Sequence, residues 1–204
     1  MAKEADIARG YLPYNEEAEW LKVRYAETPF PDRHPHFKPF YPQAPAHILD
    51  VGAGIGVDSL GFADLGHHVV AVEPAQAMRA IARAERDHAG ITWIDDHLPD
   101  LTKVAALGCG FDFTLLSASF MHLPPKTQQR GFETLSLLCN PGGVVAMSLR
   151  HGPVPDGRSM YEIPDEAAMV MAANAGLKTC VSESGSGRKQ QTGVTWSSFV
   201  FRKA

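Results

Sequence analysis

Ile48-Leu49-Asp50-Val51-Gly52-Ala53-Gly54-Ile55-Gly56-Val57-Asp58 decides how the rest of this 204-residue chain is read. A short apolar run ends at an acid, three glycines follow at alternate positions, and Val57 to Leu65 has a helical pattern stopped by Gly66. That order is strand, tight loop, helix, with side chains removed from the loop. Glycine lets a backbone approach a ligand closely and adopt positive φ. The helix start then presents free N–H groups to that ligand. Such a loop holds a nucleotide-like molecule; the surrounding residues must say which.

Outward from the loop, strands and helices alternate. Strands are expected at His47–Val51, His68–Glu73, Ile91–Asp95, Phe111–Ser117 and Gly143–Leu149. Helices are expected at Val57–Leu65, Ala75–His88, Leu101–Leu107 and Pro125–Cys139. Several strand runs are almost unbroken apolar, the pattern of strands buried on both faces. The fold class is therefore α/β: a doubly wound, mostly parallel seven-stranded sheet with helices on both faces. The tail departs from it. Helix Pro164–Ala175 leads to strand Leu177–Glu183, a turn at Ser184–Gly187, polar residues to Gly193, and strand Val194–Phe201. Two strands with no helix between them make a C-terminal antiparallel hairpin.

Ahead of the sheet, residues 1–46 form an N-terminal helix and a proline-rich strap belonging to the same domain as 47–204. Asn15 is placed to cap a helix from Glu16 to about Glu27. Pro29, Pro31, Pro35, Pro39, Pro42 and Pro45 forbid a long helix or a central strand. Phe30, Phe37, Phe40 and Tyr41 make this an ordered strap with one short helix rather than a flexible linker.

Composition narrows the function. Charged residues at 21% and a net charge of −4 fit a globular protein without a basic nucleic-acid face. No run approaches the ~20 apolar residues of a membrane span. Met1-Ala2-Lys3-Glu4-Ala5-Asp6 has no apolar export core, so a cytoplasmic location is expected. The three cysteines, Cys109, Cys139 and Cys180, are odd in number and without zinc spacing, and are expected as buried neutral thiols. Arg33-His34-Pro35-His36 lacks a third metal ligand and reads as structural or substrate-rim; no metal is expected. His67-His68 read as exposed or edge residues.

In open α/β sheets ligands bind beyond the carboxyl ends of the strands. Four features collect there: the glycine loop, Glu73-Pro74 after the second strand, Asp95-Asp96 after the third, and Ser117-Ala118-Ser119 after the fourth. With Leu49–Gly56, Glu73, Asp96, Phe111-Asp112 and Pro141-Gly142-Gly143 in this order and spacing, the chain resembles the class I S-adenosylmethionine-dependent methyltransferases from about His47 to Phe201. The resemblance implies that S-adenosylmethionine is the cofactor. Gly52, Ala53 and Gly54 would lie against its methionine part, and Asp50 would order the loop and reach the ammonium through water. Glu73, with Pro74 beside it, would bind the ribose. Asp95 or Asp96, with His97 or Leu98, would bracket the adenine, and Ser117 would offer backbone contacts. An N-terminal lid bearing Tyr14 and Arg24 would close over the donor. The rival is a nicotinamide dinucleotide and an oxidoreductase. Asp50 would repel its pyrophosphate, and the terminal hairpin has no role in that fold. A non-catalytic nucleoside-binding module is a third possibility.

A sulfonium donor is already activated, so the protein's task is mostly to place the acceptor. His122, in Phe120-Met121-His122-Leu123-Pro124 past the fourth strand, is the candidate base. Tyr11, His122, Arg150 and His151 are the candidate substrate residues; Arg150 can hold a carboxylate or phosphate. Ser117-Ala118-Ser119-Phe120 does not resemble the Asn/Asp-Pro-Pro-aromatic run of amino-methylating DNA enzymes, and no cysteine is placed for pyrimidine C5 attack. The expected partner is a small molecule, anionic in view of Arg24, Arg33 and Arg150. Neither nucleic acid nor membrane is expected, and the chain is expected as a monomer or homodimer.

Overall fold

The computed structural model describes residues 4–186 and 193–204. A short helix α1 (Glu4–Ala8) precedes α2 (Tyr14–Ala26), and the strap from Thr28 to Pro45 contains a single 3-10 turn at Lys38–Phe40. Then follow β1 (His47–Val51), α3 (Val57–Asp64), β2 (His68–Val72), α4 (Gln76–Glu85), β3 (Ile91–Ile94), α5 (Thr102–Ala105) and β4 (Phe111–Ser117). The chain closes with α6 (Pro125–Leu138), β5 (Cys139–His151), α7 (Asp165–Asn174), β6 (Leu177–Ser186) and β7 (Thr195–Lys203). The seven-stranded sheet has the order β3-β2-β1-β4-β5-β7-β6. β1 to β5 run parallel, and β7 is antiparallel to both β5 and β6. The order reverses between β1 and β4, which opens the ligand crevice beside the loop after β1.

Strand alternation divides the core. Leu49 and Val51 of β1 join Val145, Met147 and Leu149 of β5, Phe199 and Phe201 of β7, and residues of α6 and α7 on one sheet face. Ile48 joins Phe62 of α3, Phe113, Leu115, Ala146 and Val200 on the other. The strap covers this second face. Phe30 and Tyr41 each lie 4.9 Å from the Phe62 ring, and Tyr41 lies 5.4 Å from Phe113. Each such ring removed from water contributes about 2–3 kcal/mol, which explains an ordered strap without regular structure.

Four expectations are corrected. Asn15 is the second residue of α2 and does not cap it. The preceding turn already supplies carbonyl acceptors from Tyr11, Leu12 and Pro13 to the first N–H groups. The freed Asn15 Oδ1 accepts the Ala77 N–H at 2.8 Å, capping α4 from another helix. Ser184-Gly185-Ser186 continue β6 rather than turn, because β7 pairs with them through Ser197, Trp196 and Thr195; the expected turn residue Gly187 and the polar run to Thr192 lie outside the described residues, as do Met1–Lys3. Of the cysteines only Cys139 is buried, its thiol pushed up to about 11 by burial; Cys109 lies in a loop and Cys180 at the bulge of β6, which is an edge strand. His67 is buried against Phe62, while His68 is exposed. Among the described residues no helix is long and apolar enough to cross a membrane.

Candidate active site

The loop after β1 is folded by its own backbone. Gly52 and Ala53 both donate to the Val72 carbonyl, at 2.8 and 2.9 Å. Gly52 has φ 76°, and a Cβ there would stand 2.5 Å from Ser119 Cβ. Only glycine satisfies both constraints. Glu73 completes the loop: one carboxylate oxygen accepts the Gly54 N–H and the other the Ala75 N–H, both at 2.7 Å. Burial pushes Glu73 up to about 7, even though both N–H groups pull the other way.

Asp50 and Asp58 are buried close by. Asp50 accepts the Ser59 hydroxyl at 2.6 Å, tying β1 to α3. Burial, reinforced by Asp58, raises Asp50 above the usual carboxylate range. Asp58 goes the opposite way: burial is outweighed by His34 and Arg33, which hold it low. Arg33 Nε lies 3.1 Å and His34 Nε2 3.3 Å from the same Asp58 oxygen. Arg33 also donates to the Tyr25 and Thr28 carbonyls, so it fastens the strap and is not a free anion-binding cation as the sequence suggested. No group of three or more His, Cys, Asp or Glu among the described residues is arranged to hold a metal.

The two acids after β3 part company. Asp96 lines the cavity; one of its oxygens accepts the Lys103 and Val104 N–H groups at 2.7 and 3.1 Å and so caps α5. Asp95 has a side chain 57% exposed, paired with Arg79, and is not on the cavity wall. His97 bridges the Leu98 carbonyl and Glu4, with Tyr11 stacked on it at 5.6 Å. Across the crevice Ser117 ends β4, and Ala118 follows at φ 56°, its N–H donating to Ser148 Oγ. A non-glycine residue in that conformation costs about 1–2 kcal/mol, and strain of this kind collects at functional sites.

Tyr14 and His122 meet over this opening. Tyr14 Oη lies 2.9 Å from His122 Nε2, and His122 Nδ1 lies 2.7 Å from the Ser159 carbonyl. A carbonyl only accepts, so Nδ1 carries the proton and Nε2 accepts the Tyr14 hydroxyl. Burial, with Arg158 adding to it, lowers His122 below its usual value against the pull of Ser159, and keeps the ring neutral. Burial raises the Tyr14 phenol. Arg158 covers the Tyr14 ring at 4.6 Å and pairs with Glu17.

A single cavity of about 1140 Å³ joins these groups. Of the expected site residues, Tyr11, Tyr14, Arg24, Asp50, Gly52, Ala53, Gly54, Glu73, Pro74, Asp96, His97, Leu98, Ser117, His122 and Arg150 line it. Asp95 and His151 do not. His151 follows Arg150 on a pleated strand and so faces the other side, where it bonds Glu162 at 2.5 Å and Ser197 at 2.9 Å. Arg24 stacks on Trp20 at 5.1 Å and acts electrostatically on Arg150. Arg158, Glu17 and Trp196 were not anticipated. Trp196 could have been: it is two residues inside the predicted last strand, in alternation with Ser198. Arg158 sits in an irregular loop with no periodicity to expose it.

Residues 48–143 match the family model described as a methyltransferase domain. A glycine N-methyltransferase of Rattus norvegicus is 30% identical over 134 residues, covering 56% of this chain and 46% of that protein. The chain thus spans about half the length of the curated relatives it matches. The structure of Burkholderia thailandensis 1,6-didemethyltoxoflavin-N1-methyltransferase, with 1,6-didemethyltoxoflavin and S-adenosylhomocysteine bound, superposes with a TM-score of 0.73 at 19% identity, over 100% of this chain and 92% of that one. A TehB-like S-adenosylmethionine-dependent methyltransferase of Corynebacterium glutamicum gives 0.67 at 14% identity, over 93% and 97%. By its domain match over residues 48–143 and by its fold, the chain is similar to the class I S-adenosylmethionine-dependent methyltransferases.

Proposed function

We propose that the chain transfers the methyl group of S-adenosylmethionine to a small-molecule acceptor and releases S-adenosylhomocysteine. The observation that carries this is one cavity lined by the glycine loop, by the buried carboxylates Asp50, Glu73 and Asp96, and by the guanidinium groups of Arg24, Arg150 and Arg158. At about 1140 Å³ it exceeds the ~300–1,000 Å³ of an ordinary single-ligand pocket, which suits two ligands side by side. The residues fit the donor. Each Glu73 oxygen accepts one N–H and keeps capacity for a ribose hydroxyl. Asp96, His97 and Leu98 border the adenine position, and Gly52, Ala53 and Gly54 offer bare backbone to the methionine part. Bound there, the donor supplies an electrophilic methyl group. A dinucleotide's diphosphate would face Asp50 and Glu73 instead, with like charges opposed in a poorly screened site. Glycine N-methyltransferase and the didemethyltoxoflavin enzyme are named for small-molecule acceptors, which favours that class here.

Within this reading Tyr14 touches the acceptor and His122 positions it. His122 Nε2 holds the Tyr14 proton, so the Tyr14 oxygen turns a lone pair to the cavity and can receive a proton while handing its own to His122. Residues 1–46 act as the lid over the donor, held by the Glu4–His97 and Glu17–Arg158 contacts. For the test, Tyr14→Phe and His122→Gln should each lower turnover by about 10²-fold and leave S-adenosylhomocysteine affinity little changed. Turnover equal to wild type in both variants would remove this pair from the reaction.

A further inference from the structure

We propose that the acceptor carries an oxyanion, a carboxylate or phosphate beside its nucleophilic atom, and that Arg150 and Arg24 hold it. The proposal rests on the methyl-transfer reading and adds the substrate's charge and the residues that select it.

Alternation along β5 settles where Arg150 lies. Val144 and Ala146 pack on one sheet face and Ser148 and Arg150 continue that face to the cavity, whereas Leu149 enters the opposite core. The Arg150 guanidinium makes one hydrogen bond among the described residues, to the Pro153 carbonyl at 2.8 Å. Its remaining donors form a planar fork of the kind that matches a carboxylate or phosphate edge. Arg24 rests its guanidinium on Trp20 and has no carboxylate within 4 Å among the described residues; neither has Arg150. Arg158 is the third cation on this wall and is balanced by Glu17. This part of the lining therefore holds three guanidinium groups, one paired acid and Glu183.

Their effect on each other is visible at Arg150. Burial lowers its affinity for its proton, and Arg158 and Arg24 add to the shift. The Tyr14 phenol opposes them, and the two cations acting on Arg150 are of its own sign. Glu183 lines the same floor, but β7 lies between its strand and that of Arg150. At ~4.8 Å per strand the two backbones are about 10 Å apart across the sheet, and Glu183 forms no ion pair with Arg150. Two cations with no carboxylate within 4 Å among the described residues, on the wall of the cavity that also holds the carboxylates suited to a cationic donor, form a site that an acceptor's anion would complete. Trp196 is the register partner of Arg150 on β7 and also faces the cavity, so it reports occupancy.

The test uses the full chain loaded with S-adenosylhomocysteine. Sodium phosphate and sodium acetate are titrated separately at constant ionic strength set with sodium chloride, and tryptophan fluorescence is followed. A saturable response is expected, stronger for the oxyanion that resembles the natural acceptor. Arg150→Gln should weaken it about tenfold or more, Arg24→Gln less, and Arg150→Lys should restore part of it. S-adenosylhomocysteine affinity of Arg150→Gln should stay within about twofold, because Arg150 makes no hydrogen bond or ion pair with the glycine loop, Glu73 or Asp96. In turnover assays glycine should outperform methylamine, or phosphoethanolamine outperform ethanolamine; the pair that responds tells carboxylate from phosphate. Oxyanions acting no more strongly than chloride, or binding Arg150→Gln as well as wild type, would overturn the proposal. Loss of the underlying reading shows separately, as failure of S-adenosylhomocysteine to load.

Discussion

A buried carboxyl that accepts two backbone N–H groups is still raised to about 7 at Glu73, so burial outweighs hydrogen bonding there. The sign of the consequence follows. Between the ordinary 4.5 and about 7 the folded chain binds a proton at Glu73 that the unfolded chain has released. The stability linked to this group is present at the acid side and is lost as pH rises through that window, by an amount on the order of 3 kcal/mol. Without ligand, the melting temperature of Glu73→Gln should change less between pH 5 and 7.5 than that of wild type. A ribose hydroxyl donating to Glu73 favours the ionised form, so donor binding should release protons near pH 6 and strengthen toward pH 7.5. Calorimetry in buffers of different ionisation enthalpy measures this directly; identical heats in all buffers would contradict it. At this scale the sequence was legible for Glu73 and Asp50, whose partners Gly54, Ala75 and Ser59 lie at most 19 positions away. It was silent on Asp95 against Asp96, since both follow a strand and only the position of α5 decides which one turns inward to cap it.

At the scale of elements, polar side chains join the N-terminal segment to the sheet domain. Asp58 fastens the strap to α3 through Arg33 and His34. Asp58→Ala leaves both partners buried without their acid, a loss of about 3–5 kcal/mol. It should lower the melting temperature by roughly 6–15 °C and make residues 28–45 sensitive to limited proteolysis. An intact strap in the variant would show that the aromatic packing on Phe62 suffices. Asn15→Ala removes the cap that α2 lends to α4, about 1 kcal/mol or roughly 2–4 °C, readable by thermal denaturation. The strands, α3, α4, α6 and α7 were legible because their apolar periods are long. α1 is one short turn with little pattern, and the cap between α2 and α4 joins residues 62 apart in sequence. The far half of β6 was hidden because Ser184-Gly185-Ser186 has turn composition, which pairing with β7 overrides.

Across the whole molecule, the seven strands bring carboxylates and guanidinium groups to the wall of one cavity. The parallel half was foreseeable from strand–helix alternation and brings Asp50, Glu73 and Asp96 to its carboxyl edge. The basic part of the lining was only partly foreseeable. Arg150 follows from strand periodicity, whereas Arg158 reaches Tyr14 and Glu17 from a loop more than 140 positions away in sequence, a separation no local pattern encodes. The central claim is that this cavity selects an adenosyl sulfonium over a diphosphate. Isothermal titration of the full chain with S-adenosylmethionine and, separately, with NADH tests it. One saturable site for the sulfonium and no measurable heat of binding for NADH is the predicted result; NADH binding in the absence of sulfonium binding would contradict it.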